Sequence, residues 1–258
     1  MKHVGTITLL FFLIFSLCSC NTQHQATAPE AKPEKQEELQ PLSKQEMKIM
    51  KLMGGSLTKE QNIQFDDIVI HRREKEISFP SSVNMISGEL EIVLCTPKGR
   101  AHESLLMCHI DPFKLQLALI LLGAKNGSLF PNGNVPQGSI IDIDVQPENG
   151  PRESVENWIL KAQTKEPMKR TGFVFVGSSF SSDGVCLAER DGNVVDMNSQ
   201  DLNTILHLAI NEKNKHDYYE CRTEKIPKHH AKDPKKPDEL WATEVMVFLK
   251  IRKGDGNK

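Results

Sequence analysis

The 258-residue sequence predicts an α+β fold, a largely antiparallel β-sheet packed around one buried apolar helix in a single domain. Three observations predict it. Segments with period-two alternation outnumber those with helical period. The links between them are short, which favours antiparallel pairing because parallel neighbours need a long crossover. One Leu-rich segment is apolar on nearly every side, as a central helix would be.

The chain begins with a segment that reads as an address rather than structure. Lys2 and His3 precede an uncharged run from Ile7 to Leu17, too short to span a bilayer, which takes about 20 apolar residues. The run ends in Leu17-Cys18-Ser19-Cys20, which resembles the lipobox of bacterial lipoproteins. That resemblance makes residues 1–19 a signal peptide and Cys20 the acylated first residue of the mature chain, with the lipid bilayer as its partner. Several acyl chains anchor far more firmly than one. Asn21 rather than Asp at the next position favours the outer membrane, facing the periplasm. Residues 20–42 are rich in Gln, Glu, Lys and Pro and hold hardly an apolar side chain, so they are expected to be a disordered tether.

The first helix is expected over 43–55. Ser43 and Glu46 form a capping box, Leu42 and Met47 a hydrophobic staple, and Gly54-Gly55 a stop. Ile68–His71 and Ile77–Phe79 flank a charged turn as a hairpin, with Pro80 ending the second strand. Glu89–Cys95 alternates, and Leu105–Ile110 reads as its antiparallel neighbour about a turn near Arg100. The Leu-rich helix opens at Asp111-Pro112, cap and first helical position, and closes at Gly123.

Strands are expected at Ile141–Val145, Val155–Ala162 and Gly172–Gly177. Arg190-Asp191-Gly192 reads as a hairpin turn between two more. Asp201 caps an expected helix, Leu202–Ile210. Lys225–Pro237 reads as a basic loop, and a last strand carries Thr243, Val245, Val247, Leu249 and Ile251 on one face.

The segment Glu91–Leu106, the helix ending Leu121-Leu122-Gly123 and the run Phe173-Val174-Phe175-Val176-Gly177-Ser178 together resemble the YdjY-type domain of bacterial envelope lipoproteins. The resemblance covers residues 63–252. Its motif, Gly-Lys/Arg-x-His-Glu-Ser, is Gly99–Ser104 here. It implies an envelope location and no particular reaction. Some relatives carry a ferredoxin label, but iron–sulfur ligation needs a cysteine spacing this chain lacks.

Composition narrows the function. The formal charge is −2, or −3 once Lys2 leaves, so no global field recruits nucleic acid or anionic lipid, and nucleic acid is not an expected partner. No cofactor motif is present: Gly-rich phosphate loops and a Gly-x-Ser-x-Gly elbow are both missing, although Ser178 follows a buried strand. Cys95, Cys108, Cys186 and Cys221 remain after Cys18 and Cys20 are set aside. None stands at C-x-x-C spacing, so they are either paired in one of three ways or buried thiols. A hairpin about Arg100 sets Cys95 opposite Leu105, which places Cys108 too far along for a Cys95–Cys108 bridge.

The candidate binding loop is Thr96, Lys98, Gly99, Arg100, His102, Glu103 and Ser104, for an envelope protein or small ligand. The alternative is a hydrolase or metal-dependent enzyme using His102 and Glu103 as base and acid, or as ligands. Adjacent strand residues point to opposite faces, so that alternative needs irregular backbone. The contrasting structural role has Glu103 accepting amides of its own loop, with His102 the more exposed. His71, His102, His109 and Asp111 match no zinc spacing, so no metal is expected. Asp142 and Asp144 fit polar-out alternation, and His229-His230 a solvated loop.

Overall fold

The structure, a computed structural model, describes residues 39–127, 138–198, 203–209, 216–228, 230–233 and 236–253. The signal segment, Cys20, most of the expected tether, Asp201, Leu202 and His229 lie outside the described residues.

Helix α1 (Lys44–Leu52) starts at the expected capping box: Glu46 N–H donates to Ser43 Oγ (3.2 Å) and Ser43 N–H to the Glu46 carboxylate (2.7 Å). Short strands β1 (Ser56–Leu57) and β2 (Ile63–Phe65) lead into the hairpin of β3 (Ile68–His71) and β4 (Glu76–Val83). Alternation there buries Ile68, Ile70, Ile77 and Phe79. Then come β5 (Glu89–Leu90), β6 (Ile92–Cys95), β7 (Ser104–Met107) and α2 (Pro112–Leu122). The second half holds β8 (Ile140–Pro147), β9 (Glu153–Ser154), β10 (Ile159–Lys161), β11 (Phe173–Phe175), α3 (Leu187–Asp191) and β12 (Asn193–Asp196). It ends with β13 (Leu206–Leu208), β14 (Tyr219–Cys221), β15 (His230–Asp233), β16 (Lys236–Trp241) and β17 (Glu244–Ile251).

Among the described residues, eight strands close into a ring, in the order β4-β17-β8-β11-β13-β12-β6-β7 and back to β4. The pairs β12–β13 and β6–β7 are parallel and the others antiparallel, so this is a mixed β-barrel. Strand β4 makes closure possible. Its first residues pair with β3 on the side where Ser82 and Val83 pair with β7, while β17 runs along its other side. Pro80 sits inside β4, at the exchange between those two neighbours, and does not end the strand as expected. Closure leaves the ring no free edge. A barrel of this size is filled by its own side chains, and every strand of the ring contributes buried ones, from Phe79 on β4 to Val247 on β17.

The expected sheet around a central helix is therefore incorrect. Helix α2 has the predicted ends, with Asp111 accepting from the N–H groups of Phe113 (2.8 Å) and Lys114 (3.4 Å) and Gly123 left-handed at φ 99°. Among the described residues it packs mainly against β3, β4 and α3, burying Leu115, Gln116, Ala118 and Leu119. Ile120 stays exposed, and Phe113, Leu117, Leu121 and Leu122 are half-buried. Apolar composition permits burial all round. It does not supply the protein needed to surround the helix.

Other local expectations are corrected too. Glu89–Cys95 divides: β5 joins β14 and β10 in a separate sheet, while β6 enters the barrel. Val155–Trp158 is a 3-10 turn before β10, and Arg190–Asp191 close a short helix capped by Gly192 rather than a hairpin. The described part of Leu202–Ile210 holds a strand, and Lys225–Pro237 contains β15 and the start of β16.

Asp142 and Asp144 face solvent on β8, where three arginines answer them. Arg170 reaches Asp144 (2.7 Å), Arg252 reaches Asp142, and Arg152 reaches Asp144 (3.1 Å). Arg152 also grips Glu76 through two hydrogen bonds (3.0 and 2.5 Å) and lies 3.9 Å from the centroid of the Phe248 ring. The ladder crosses β4, β17 and β8. Partly exposed pairs each contribute up to about 1 kcal/mol.

Candidate functional site

The candidate loop exists because β6 and β7 are parallel. A hairpin would need one turn, but parallel strands oblige the chain to travel back before it can pair. Thr96 leaves β6 with its N–H donated to Gly192 O (2.7 Å), and Gly99 N–H closes a turn onto Thr96 O (2.9 Å). A 3-10 turn at Ala101–Glu103 then delivers Ser104, which already belongs to β7. Asn84 fastens the return, its side-chain amide donating to Ala101 O and to Ser104 O.

Two glycines allow the loop to lie against the α3–β12 corner. A Cβ on Gly192 (φ 75°) would stand 2.3 Å from the Gly99 nitrogen, and one on Gly99 would stand 2.7 Å from Gly192 O. The two backbones pass too closely for any side chain between them. Asn193 fixes the same crossing by accepting the Arg100 N–H at Oδ1 (3.2 Å).

Arg100 is the centre of the site. Its Nη1 lies 2.5 Å from Glu91 Oε2 and 3.2 Å from Glu103 Oε2, and its Nη2 lies 3.1 Å from Asp196 Oδ2. Asp196 is fully buried, whereas the Arg100 side chain is 30 % exposed. One planar guanidinium, with donors spread around its rim, meets carboxylates from three chain segments; a lysine ammonium lacks that spread. Asn198 extends the network: its N–H donates to Asp196 Oδ1 (2.6 Å) and its side-chain amide to Glu91 Oε2 (2.8 Å). On the neighbouring strand buried His207 sets Nε2 2.7 Å from Asn198 O and Nδ1 2.8 Å from Leu208 O. The site is thus a latch in which Arg100 ties its loop to β12 and to the β5–β6 junction.

The predicted residues divide into those that build the latch and those it presents. Thr96 and Ser104 are buried, and the Ser104 hydroxyl donates to Leu106 O (2.7 Å). Glu103 does accept a structural hydrogen bond, but from the Arg100 guanidinium rather than from the loop amides expected to supply it. Lys98 and His102 face outward, the His102 side chain 76 % exposed with Nε2 3.5 Å from Glu103 Oε1. Glu103 is thus turned to the Arg100 guanidinium while the His102 ring lies largely in solvent. The recess beside the latch, about 70 Å³, is lined by Glu91, Asn198, Asp217, Tyr218 and Tyr219 among others. That is well below the roughly 300–1,000 Å³ of a ligand pocket.

Sequence reasoning missed Glu91, Asn193, Asp196, Asn198 and His207 as members of this site. Nothing local marks them, since β12 and β13 reach Arg100 only through the barrel's pairing. Among the described residues no group of three or more His, Cys, Asp or Glu side chains could hold a metal. His71 bonds Ser78 Oγ (2.7 Å), Asp111 caps α2, and His109 is exposed. Ser178 is structural: its N–H donates to Gln116 Oε1 and its Oγ accepts the Ala188 N–H, both at 2.8 Å.

The four cysteines among the described residues, Cys95, Cys108, Cys186 and Cys221, are buried and free. Burial pushes the Cys108 and Cys221 thiols up to about 12 and raises Cys95, which keeps them out of the reactive thiolate form. The absent Cys95–Cys108 bridge agrees with expectation but not with its reason. In the parallel register Cys95 pairs with Met107, and Cys108 N–H donates to Cys95 O (2.9 Å).

No curated protein sequence and no solved structure matches the chain. The YdjY domain matches residues 68–231, more than half the sequence, from the first long hairpin into β15, and it includes Arg100 and the latch residues Glu91, Glu103, Asn193, Asp196 and Asn198. The chain belongs to the YdjY domain family.

Proposed function

We propose that this protein is a lipid-anchored lipoprotein of the bacterial cell envelope, held in the outer membrane facing the periplasm, whose barrel binds a partner through the Thr96–Ser104 loop. The observation that carries the binding reading is the division of labour in that loop. Its buried polar groups and Arg100 are spent on fixing the backbone, while Lys98 and His102 project from it. A rigid tip that presents the Lys98 ammonium, resting 3.5 Å from Glu189 O, beside the exposed His102 ring suits an acidic patch on another envelope protein, because little ordering entropy is left to lose on binding. The recess beside the latch is too small for a cofactor-sized ligand, which favours a protein partner over a small molecule.

The anchor rests on the sequence Leu17–Cys20 and on the tether-like composition after it. Among the described residues no helix is long and apolar enough to cross a membrane. In this reading acylated Cys20 is the attachment that survives a high-salt wash. Cys20→Ser is accordingly expected to move the protein from the membrane pellet to the soluble envelope fraction. Fractionation with a high-salt wash checks this, and a variant that still pellets like wild type contradicts the anchor.

A further inference from the structure

Helix α1 has two unlike faces. Met50 is buried, and Leu42 and Met53 pack on the core, so one side of the helix is fixed to the domain. Lys44, Met47, Lys48, Lys51 and Leu52 fall at the i, i+3, i+4, i+7, i+8 spacing of a single helical face. These five side chains line one surface depression. Both apolar members stay open to solvent, Met47 at 40 % and Leu52 at 74 %. The three lysines have no ion-pair partner among the described residues. The helix's one carboxylate, Glu46, is turned back to its cap. Hydrogen bonds from the Ser43 hydroxyl and N–H, with Arg72 nearby, hold it below the usual carboxylate range.

We propose that this face of α1 rests on an anionic phospholipid surface, that of the membrane to which the chain is tethered. The proposal depends on the lipoprotein reading for its tether. Charge and shape supply the rest. Three lysines reach phosphate groups while Met47 and Leu52 enter the boundary between headgroups and acyl chains, the arrangement of an interfacial helix. Lys44 follows Cys20 by 24 positions. Whatever its conformation, a stretch of that many residues reaches at most about 80 Å, so α1 is held near the surface at an effective concentration in the millimolar range. A contact too weak to recruit a free protein suffices at that concentration. Each basic side chain close to an anionic surface raises partitioning about five-fold, and three together about a hundred-fold. The consequence is orientation: the barrel is held in a fixed attitude to the membrane.

The test uses the full mature chain with Cys20→Ser, which carries no acyl group, at millimolar lipid. Co-sedimentation is expected with vesicles of phosphatidylethanolamine and phosphatidylglycerol, and not with phosphatidylcholine alone. High salt should abolish it. The triple variant Lys44→Gln, Lys48→Gln, Lys51→Gln should bind about a hundred-fold more weakly with an unchanged melting temperature, because these side chains are exposed. Met47→Gln with Leu52→Gln should weaken binding as well. Failure of the parent chain to pellet with anionic vesicles, or equal pelleting of the triple variant, overturns the proposal. Since no acyl group takes part, this result and the Cys20 fractionation fail independently, so the two readings can be told apart.

Discussion

Arg100→Ala is expected to lower the unfolding free energy by about 3–5 kcal/mol, the range for removing one member of a buried ion pair. The reason lies with the partner left behind. Asp196 is fully buried, and without the guanidinium its charge keeps the Asn198 N–H as a facing donor but loses its cation. The reverse substitution should cost less. In Asp196→Ala the guanidinium retains Glu91 and Glu103 and is partly exposed to water. Removing both groups together should cost less than the two single losses added, because the double variant leaves no orphaned charge. Denaturant melts of the two single variants and the double variant measure this. Additive losses would show that Arg100 and Asp196 do not act as a pair.

Gly192→Ala should be nearly as severe, at about 2–5 kcal/mol. Two costs combine: a left-handed backbone at φ 75°, and a methyl group 2.3 Å from the Gly99 nitrogen with backbone on both sides. Gly184→Ala is the control, since its φ is 82° and nothing lies within 4 Å of the added methyl. That variant carries the conformational cost alone, about 1–2 kcal/mol. Melting curves of the two alanine variants should therefore separate clearly. If they coincide, the close pass of the loop over the α3–β12 corner is not a constraint on stability.

These two expectations show which parts of the protein were legible in its sequence. Local devices were. The Ser43–Glu46 box, the Asp111-Pro112 start and Gly123 stop of α2, the Ile68–Phe79 hairpin and the alternation of β17 depend on neighbours within a few residues. The ring was not, because it is made by pairings such as Ser82 with Met107 and Val195 with Leu206, and nothing in either strand names its partner. A single error of this kind carried a long way. Treating β6 and β7 as a hairpin gave the right loop but the wrong direction for β7, and with it the wrong neighbours for Cys95.

The site shows the same division. Thr96–Ser104 could be singled out as polar chain held between apolar strands. Arg100, however, derives its role from Glu91, which lies across a strand, and from Asp196, 96 positions away. Leu206–Leu208 misled for a different reason, since alternate apolar residues there suit a short strand as well as a helical face. Gly192 was expected at a turn and does reverse the chain, but as the left-handed cap of a short helix.

The central claim is that the Thr96–Ser104 loop is a fixed platform for Lys98 and His102 and not a mobile connection. Native-state amide hydrogen exchange tests it residue by residue. The N–H groups of Thr96, Gly99, Arg100 and Glu103 are each donated within the protein, to Gly192 O, Thr96 O, Asn193 Oδ1 and Arg100 O. The account predicts that they exchange as slowly as the barrel amides of Leu94 and Leu106, and that Arg100→Ala releases them all. Exchange at the rate of an unstructured peptide in the unaltered protein would contradict it.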